Sequence, residues 1–564
     1  MERKLDNFVG QKFDVCVIGG GIYGVNVARE AALRGLSVAL VEKGDFGSAT
    51  SSNSLKIIHG GLRYLQHADF KRMRESITER RILMTIAPHL VHPLPCVMPT
   101  YGHTLRGKEV MALALFINDL IGYDRNKIKD PQKYLPRGRI ISRAECMELI
   151  PGIEQKGLTG GAVWYDCQVY NSERLLLAIL HSAVEAGAVV ANYVEMTDFL
   201  FENQSVSGIK VRDTLTGDRF EIQARLVINC AGPWVNMILT RLNGCAVEPG
   251  IKWSSAMNLV VKRQIFPDYA VGLWSKSKFE DEDALISKGS RLFFIAPWRK
   301  YTLVGTTHVP FRGSPDQFRL TEEDVREFIQ EINEAYPAIH LTEEDISFYY
   351  GGMLPADEED EERGYVKLLK HYRILDHVKN GLDGLITVIG VKYTTARDVA
   401  QKTIDYVFKK WNKKSENSSS VTQPVWGGDI EKFREFLIKE KLKQPMKLKE
   451  SVVENLILNY GTKYKNVLKY VEKNPVLGEV LGDTDVLKAE IVHSIHEEMA
   501  LKLTDVVRRR TELGSASCPE EWVLKECANI MAAELNWDEA KIKSEIDETI
   551  RLYQLEKGIE TIHE

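Results

Sequence analysis

The sequence predicts an α/β protein in which a parallel-sheet domain is interrupted by an antiparallel-sheet domain and followed by a helical one. Three observations predict it. Short apolar strands alternate with helical stretches near the start and again near residue 390, hairpin signals fill the middle, and everything after Ile430 reads almost wholly as helix. At 564 residues the chain has room for two or three domains around one large sheet. Its 74 Lys and Arg nearly balance 79 Asp and Glu, so it lacks the basic excess of a general nucleic-acid binder, and no nucleic-acid partner is expected.

The elements follow in chain order. Asp14-Val-Cys-Val-Ile18 is a short apolar run ending at a glycine cluster, the mark of a buried parallel strand. Ile22 to Arg34 carries apolar residues at helical spacing and stops at Gly35, which suits the left-handed position after a helix. Ser37 to Glu42 is the next strand, which completes a βαβ unit. Later strands are expected at Ala188 to Val194, Val206 to Val211, Leu226 to Asn229, Asn258 to Val261, Arg291 to Ile295, Tyr301 to Gly305 and Leu385 to Ile389. Thr216-Gly217-Asp218 reads as the hairpin turn between Val211 and Phe220.

The acidic run Asp357 to Glu362 is expected to be a solvated loop, because like charges repel. Lys409 to Gly428 is rich in Lys, Ser and Asn, the composition of a linker. Residues 411–428 are therefore expected to join an N-terminal region, 1–410, to a helical domain over 429–564. Eight cysteines are scattered without a C-x-x-C pair and read as core thiols of a reducing compartment. His493-x-x-His496-Glu497 lacks the His-Glu-x-x-His order, so no metal is expected. The start shows no signal peptide, and the longest apolar run, Val110 to Ile117, is too short to cross a bilayer. A cytoplasmic protein is expected, soluble or peripheral on a membrane.

The first βαβ unit carries the chemistry. Gly19-Gly20-Gly21-Ile22-Tyr23-Gly24 fits G-x-G-x-x-G, follows a strand and opens a helix. Gly19 allows the tight turn, Gly21 lets the backbone approach a pyrophosphate, and Gly24 permits close packing of helix on strand. The helix N-terminus favours the negative charge, and Glu42, ending the second strand, can accept hydrogen bonds from a ribose diol. The fingerprint alone does not separate NAD from FAD. The following loop, Lys43 to Ser54, is rich in small hydroxylic residues that suit an extended phosphate and ribityl chain, and ordered Gly-Gly elements flank it.

Ser48-Ala-Thr-Ser-Ser-Asn-Ser54 followed by Ile58-His-Gly-Gly-Leu-Arg-Tyr-Leu65 closely resembles the FAD-dependent glycerol-3-phosphate dehydrogenases and oxidases. Asn229-Cys-Ala-Gly-Pro-Trp-Val235, Phe294 to Trp298, Leu303 to Thr307, Ile389-Gly-Val-Lys-Tyr-Thr-Thr395, and His496 to Ala500 with Arg508 to Thr511 extend the resemblance over about the whole chain. It implies a Rossmann-like, glutathione-reductase-type FAD domain from segments near 10–80, 160–250 and 380–405. An antiparallel substrate domain would come from segments near 85–160 and 250–380, with a helical cap. The FAD site would use Gly19, Gly20, Gly21, Ile22, Tyr23, Gly24, Glu42 and Lys43, then Thr50, Ser51 and Ser52. Gly60, Gly61, Leu62, Val194, Ala231, Gly232, Gly390, Lys392, Tyr393 and Thr394 would complete it.

The implied reaction takes sn-glycerol 3-phosphate to dihydroxyacetone phosphate and passes electrons to a quinone or similar acceptor. Arg63, Tyr64 and Lys392 carry over to the substrate pocket. His59 is either the proton acceptor, since imidazoles titrate near neutrality, or a packed histidine that shapes the Gly-Gly turn. Three positions depart from the family. Met353 stands where a substrate-binding arginine is usual, Lys370 replaces a second arginine, and Asn258 replaces a histidine. Arginine clamps phosphate through a fork of donors that methionine lacks and lysine does not reproduce. The departures leave open a different polyol, hydroxy acid or amine as substrate, or a flavin-binding protein without turnover. The absence of a long insertion between Lys370 and Ile386 favours a dehydrogenase over an oxidase. A homo-oligomer is expected. Phe70-Lys-Arg-Met-Arg74 with Arg80-Arg81, and the basic stretch Arg125 to Arg143, read either as contacts for anionic lipid or as solvated charged surface.

Overall fold

In the computed structural model, Lys12–Ile18 (β1), Ile22–Leu33 (α1) and Val38–Val41 (β2) form the βαβ unit at the centre of an eight-stranded sheet. The structure describes residues 1–103, 107–242, 250–276, 291–360, 365–414 and 416–556, without the side chains of 63, 66, 358–360 and 365. The Arg63 side chain, Cys245 and acids 361–362 lie outside the described residues. β1 pairs in parallel with β2 and with Arg219–Asn229, which pairs in parallel with Leu385–Ile389. The register sets Ile18 beside Val41 and Asn229, and Asn229 beside Thr387, so these parallel strands end together on one edge. Ligands of open α/β sheets bind beyond that edge.

A second sheet of eleven strands faces this edge. Val91–Tyr101 and Leu158–Val169 are its long antiparallel pair on one side, and Lys252–Val261 with Ile346–Asp360 on the other. The chain therefore leaves the second sheet after Val169, past the expected 160.

Two expected elements differ. The run Ala188 to Val194 is two strands, Val189–Ala191 in the parallel sheet and Val194–Glu202 in a hairpin. Between them Tyr193 adopts φ +56°, and its hydroxyl donates to Asp505 at 2.7 Å, which anchors the break. The acids 357–360 are not a loop. They extend the strand Ile346–Asp360 against Tyr365–Leu368, and Asp357 is paired with Arg373.

After residue 430 come Phe433–Leu442, Glu450–Tyr460, Tyr464–Lys473, Lys488–Glu498, Glu521–Leu535 and Glu539–Arg551, all helical. One apolar core runs through both regions, joining Val17, Val25 and Leu177 to Trp426, Tyr460 and Val467. The segment 411–428 is part of that joint. Ser420, Val425 and Trp426 are buried, the Trp426 indole stacks on His181 at 4.2 Å, and the Val425 N–H donates to the Ile86 carbonyl.

In the basic stretches that read either as lipid contacts or as solvated charged surface, several of the cations are paired or buried. On helix Phe70–Ile86 (α2), Arg74 makes a two-bond pair with Asp124, Arg81 joins the same carboxylate at 3.0 Å, and Arg80 and Met73 are buried. Farther on, Arg125 pairs with Asp119, Arg139 with Glu145, and Lys133 is buried and donates to the Val91 carbonyl. The apolar run Val110 to Ile117 lies instead in the helix Lys108–Ile121 (α3), which exposes Leu113, Phe116 and Leu120, with Tyr123 just beyond. Among the described residues no helix is long and apolar enough to cross a membrane.

Candidate functional site

Two cavities open between the sheets, of about 550 Å³ and about 400 Å³. The longer one starts at the β1–α1 turn. Gly19 takes φ +103°, and a Cβ at Gly24 would lie 1.8 Å from the Gly19 carbonyl oxygen, so this turn closes only with glycine there. Gly21 lines the cavity, and a Cβ on it would come within 3.2 Å of the Ser51 hydroxyl. The backbone is thus bare where a pyrophosphate would approach α1. Ser51 accepts the Ile22 N–H at 2.9 Å, one of the unpaired donors of the first helical turn.

At one end of the cavity Glu42 accepts the Gly20 and Gly44 N–H groups at 2.7 and 2.9 Å. Burial raises its carboxyl pKa, and these two bonds act against that rise. Lys43 lines the same end, over the Trp234 ring at 4.1 Å and paired with Asp316 at 2.6 Å. Thr50, Val194, Ala231 and Gly232 form the walls. Gly20 does not line the cavity and instead fixes the turn, its N–H on Glu42 and its carbonyl accepting the Gly47 N–H at 3.1 Å. Ser52 is turned away, buried with its hydroxyl on the Gly47 carbonyl.

At the other end are Gly390, Lys392, Tyr393 and Thr394, ahead of the helix Ala396–Lys410. Tyr23 holds this loop. Its hydroxyl donates to the Lys392 carbonyl at 2.6 Å and accepts the Val391 and Lys392 N–H groups at 3.0 Å. A Cβ at Gly390 would meet the Tyr23 ring at 2.0 Å, which ties the first and last turns of the sheet together.

The two cavities meet where His59, Tyr64, Thr306 and Lys392 line both. The His59 side chain is 40% exposed, and its Nδ1 lies 3.4 Å from Asp166. Asp166, from the strand Leu158–Val169, is buried and accepts the Gly60 N–H at 2.6 Å and Arg80 at 2.7 Å. Burial alone would raise its carboxyl, but the His59 hydrogen bond and the Arg80 charge outweigh it and hold the pKa down at about 2. A carboxylate behind a histidine fixes the orientation of the ring. Gly60 and Gly61 shape this turn and do not line the longer cavity. A Cβ at Gly60 would strike Arg80 at 2.2 Å, and one at Gly61, where φ is +88°, would strike the Tyr64 ring. Leu62 lines the smaller cavity.

The Lys392 ammonium lies 4.0 Å from the centre of the Tyr64 ring and 3.4 Å from the Ser76 hydroxyl. Burial, and then the nearby Arg72 charge, push its pKa down to about 7. Lys370 lines the smaller cavity. Asn258 is buried, donates to the Asn53 carbonyl and accepts the Thr306 hydroxyl at 2.7 Å, so its amide is spent on loop geometry. Met353 faces the longer cavity, packed with Trp253, Leu369 and Ile389 while its backbone bonds to Thr50. It is not among the residues lining the smaller, basic cavity.

Sequence reasoning missed Asp166, Arg80 and Arg72. The available signal for Asp166 was a lone acid inside the apolar strand Ala162-Val-Trp-Tyr-Asp-Cys167.

The model of the FAD dependent oxidoreductases matches residues 14–390, and that of the C-terminal domain of alpha-glycerophosphate oxidase matches 418–542. A glycerol-3-phosphate dehydrogenase of Synechocystis sp. is 34% identical over 91% of this chain and 90% of its own length. The aerobic glycerol-3-phosphate dehydrogenase of Staphylococcus haemolyticus is 30% identical over 90% of this chain and 87% of its own. The crystal structure of a Bacillus halodurans glycerol-3-phosphate dehydrogenase complexed with FAD superposes with a TM-score of 0.76 at 25% identity, covering 97% of this chain and 96% of that one. The bare Gly21 backbone, the Glu42 carboxylate at one end and Lys392 at the other fit FAD lying along the longer cavity. The chain belongs to the FAD-dependent glycerol-3-phosphate dehydrogenase family, an oxidoreductase family whose cofactor is FAD.

Proposed function

We propose that the chain oxidises sn-glycerol 3-phosphate to dihydroxyacetone phosphate and delivers the electrons to a quinone at a membrane surface. The observation that carries this reading is the junction of the two cavities, where a carboxylate-backed histidine meets a half-buried lysine at the end of the cofactor groove. FAD, when bound, supplies the acceptor for the hydride of the substrate carbinol. His59 takes the hydroxyl proton on Nε2, with Asp166 holding Nδ1 and stabilising the imidazolium that forms. Lys392 places positive charge beside the substrate and the flavin end of the groove, where negative charge develops.

An apolar wall of the smaller cavity supports a quinone as the acceptor. Val110, Met111 and Ala114 of α3 line it, while Leu113, Phe116 and Leu120 of the same helix face outward. An apolar exposed face on a helix whose inner side forms an apolar wall of the cavity suits a lipid surface and a lipid-borne acceptor.

Anaerobic titration of the purified yellow protein tests the reading. Glycerol 3-phosphate is expected to bleach the flavin, a soluble quinone to restore it, and glycerol or small hydroxy acids to do neither. Phe116→Glu with Leu120→Glu is expected to reduce vesicle binding while leaving bleaching intact. A flavin that glycerol 3-phosphate does not bleach rejects the substrate, and a double variant that still binds vesicles as the wild type does rejects the α3 contact.

A further inference from the structure

The smaller cavity is lined by four basic side chains, Arg72, Lys367, Lys370 and Lys392, against one carboxylate, Asp166, which is already committed to Arg80 and His59. Such a lining attracts an anion. Arg72 stands apart among these cations. It sits in the first turn of α2, where Asp69 caps the helix by accepting the Arg72 N–H at 3.0 Å on Oδ1. The remaining Asp69 oxygen is 3.9 Å from Arg72 Nε, too far for a hydrogen bond, and His371 lies 3.5 Å from that same oxygen. Arg72 Nε is buried and has no hydrogen-bond partner among the described residues. The guanidinium carbon lies 4.2 Å from the Tyr64 ring centre and the Lys392 ammonium 4.0 Å from it, so two cations pack on one ring in one cavity. Their repulsion shows in the depressed Lys392 pKa, to which Arg72 contributes after burial. A dianion between them would relieve it.

We infer that Arg72 holds the phosphate of the substrate, with Lys392 as its neighbouring charge, and so supplies the forked donors that Met353 does not. The inference rests on glycerol 3-phosphate being the substrate. Tyr64 supports the arrangement by a cation–π contact with each of the two cations, all three side chains lining the cavity. Arginine offers phosphate a two-point contact and lysine only a point charge, so Arg72→Lys retains part of the function and Arg72→Gln none.

The test uses the FAD-loaded enzyme as wild type, Arg72→Gln and Arg72→Lys, with glycerol 3-phosphate as substrate and inorganic phosphate as competitive inhibitor. Loss of charge-assisted bonds to an ionised group is expected to raise KM and the phosphate inhibition constant together by about ten- to a hundredfold in Arg72→Gln, with kcat little changed. Arg72→Lys is expected to fall between the two. Unchanged KM and unchanged phosphate inhibition in Arg72→Gln overturn the assignment. If Arg72→Gln does not retain flavin, Arg72→Lys decides, since a KM equal to wild type overturns the assignment as well. Should glycerol 3-phosphate fail to bleach the wild-type flavin, it is the substrate that is wrong. Perturbation of the flavin spectrum by inorganic phosphate then still reads Arg72: its loss in Arg72→Gln supports an anion site there, and its persistence overturns it.

Discussion

Lys392 gives the residue scale its clearest consequence, because its charge is wanted by the substrate and opposed by its surroundings. Burial and Arg72 lower its pKa to about 7, while Glu75 and Asp69 act weakly the other way. The folded-state pKa is depressed, so the free enzyme loses the ammonium as the pH rises through about 7. The second ionisation of a phosphate monoester, near pH 6, is by then largely complete, so a further change belongs to the protein. We predict that kcat/KM for glycerol 3-phosphate falls as the pH rises above about 7, and that Lys392→Arg removes this fall because a guanidinium does not titrate there. A profile for the wild type that stays flat to pH 9 would contradict the lysine's role. At this scale the sequence was legible where function is local. Gly19, Gly21, Ser51 and Glu42 are close in sequence and meet in one turn and one carboxylate. Asp166 was not legible, because sheet pairing carries it to His59 from more than a hundred positions away. Met353 and Arg72 were misplaced for related reasons. A resemblance locates a residue in a strand without saying what its side chain packs on, and the cluster Phe70 to Arg74 looks like basic surface until α2 turns Arg72 into the cavity.

At the scale of elements, the β1–α1 turn and the end of α1 both use glycine, for reasons that experiment can separate. Gly24 is fixed by contact, since any Cβ there would overlap the Gly19 carbonyl oxygen, which belongs to the turn that receives the cofactor. Gly35 is fixed by conformation alone, with φ +77° and nothing within 4 Å of an added Cβ. Gly35→Ala is expected to cost about 1 kcal/mol of stability and leave the protein yellow. Gly24→Ala is expected to yield protein with little or no flavin, because the turn must open. Equal flavin content in the two purified variants would show that the contact is not what makes Gly24 necessary. The ends of α1 were readable because its stop signal is backbone chemistry at Gly35. Residues 411–428 show the opposite case. Their polar composition reads as linker, yet Ser420 accepts a bond from Arg397, the Gln423 carbonyl accepts one from Arg29, and Trp426 enters the core. Composition reports the mean character of a segment, and two or three buried side chains are enough to dock it. The acidic run at 357–360 is similar, since strand pairing and Arg373 offset a repulsion that sequence alone leaves unopposed.

Across the whole molecule, the cofactor groove and the helical domain are coupled through one buried acid. Asp45, three residues past Glu42, accepts Arg509 Nε at 2.5 Å and Arg510 Nη2 at 2.7 Å, both from the C-terminal region and both buried. Arg509 also holds Asp505 at 2.7 Å, and Asp505 accepts the Tyr193 hydroxyl where the parallel sheet breaks. Burial would raise the Asp45 pKa, but Arg510 and Arg509 outweigh it and bring it from 3.8 to about 2. Because the folded value lies below the unfolded one, this contribution to stability is present above about pH 4 and is lost as the pH falls toward 2. Removing the carboxylate is a different matter from protonating it, since it leaves two guanidiniums buried with one charge partner fewer. Asp45→Asn is therefore expected to destabilise the protein by about 3–5 kcal/mol. The loop from Glu42 to Ser51 is tied to the helical domain by this acid and by Asn192, which donates to both Asp45 and the Met499 carbonyl, so flavin release should precede or accompany unfolding of the variant. Thermal unfolding followed in parallel by flavin fluorescence and by helical circular dichroism measures both. A variant that unfolds at the wild-type temperature with its flavin retained would mean that the two regions are held by their shared apolar core alone, and that the buried ion pairs fix geometry without adding stability.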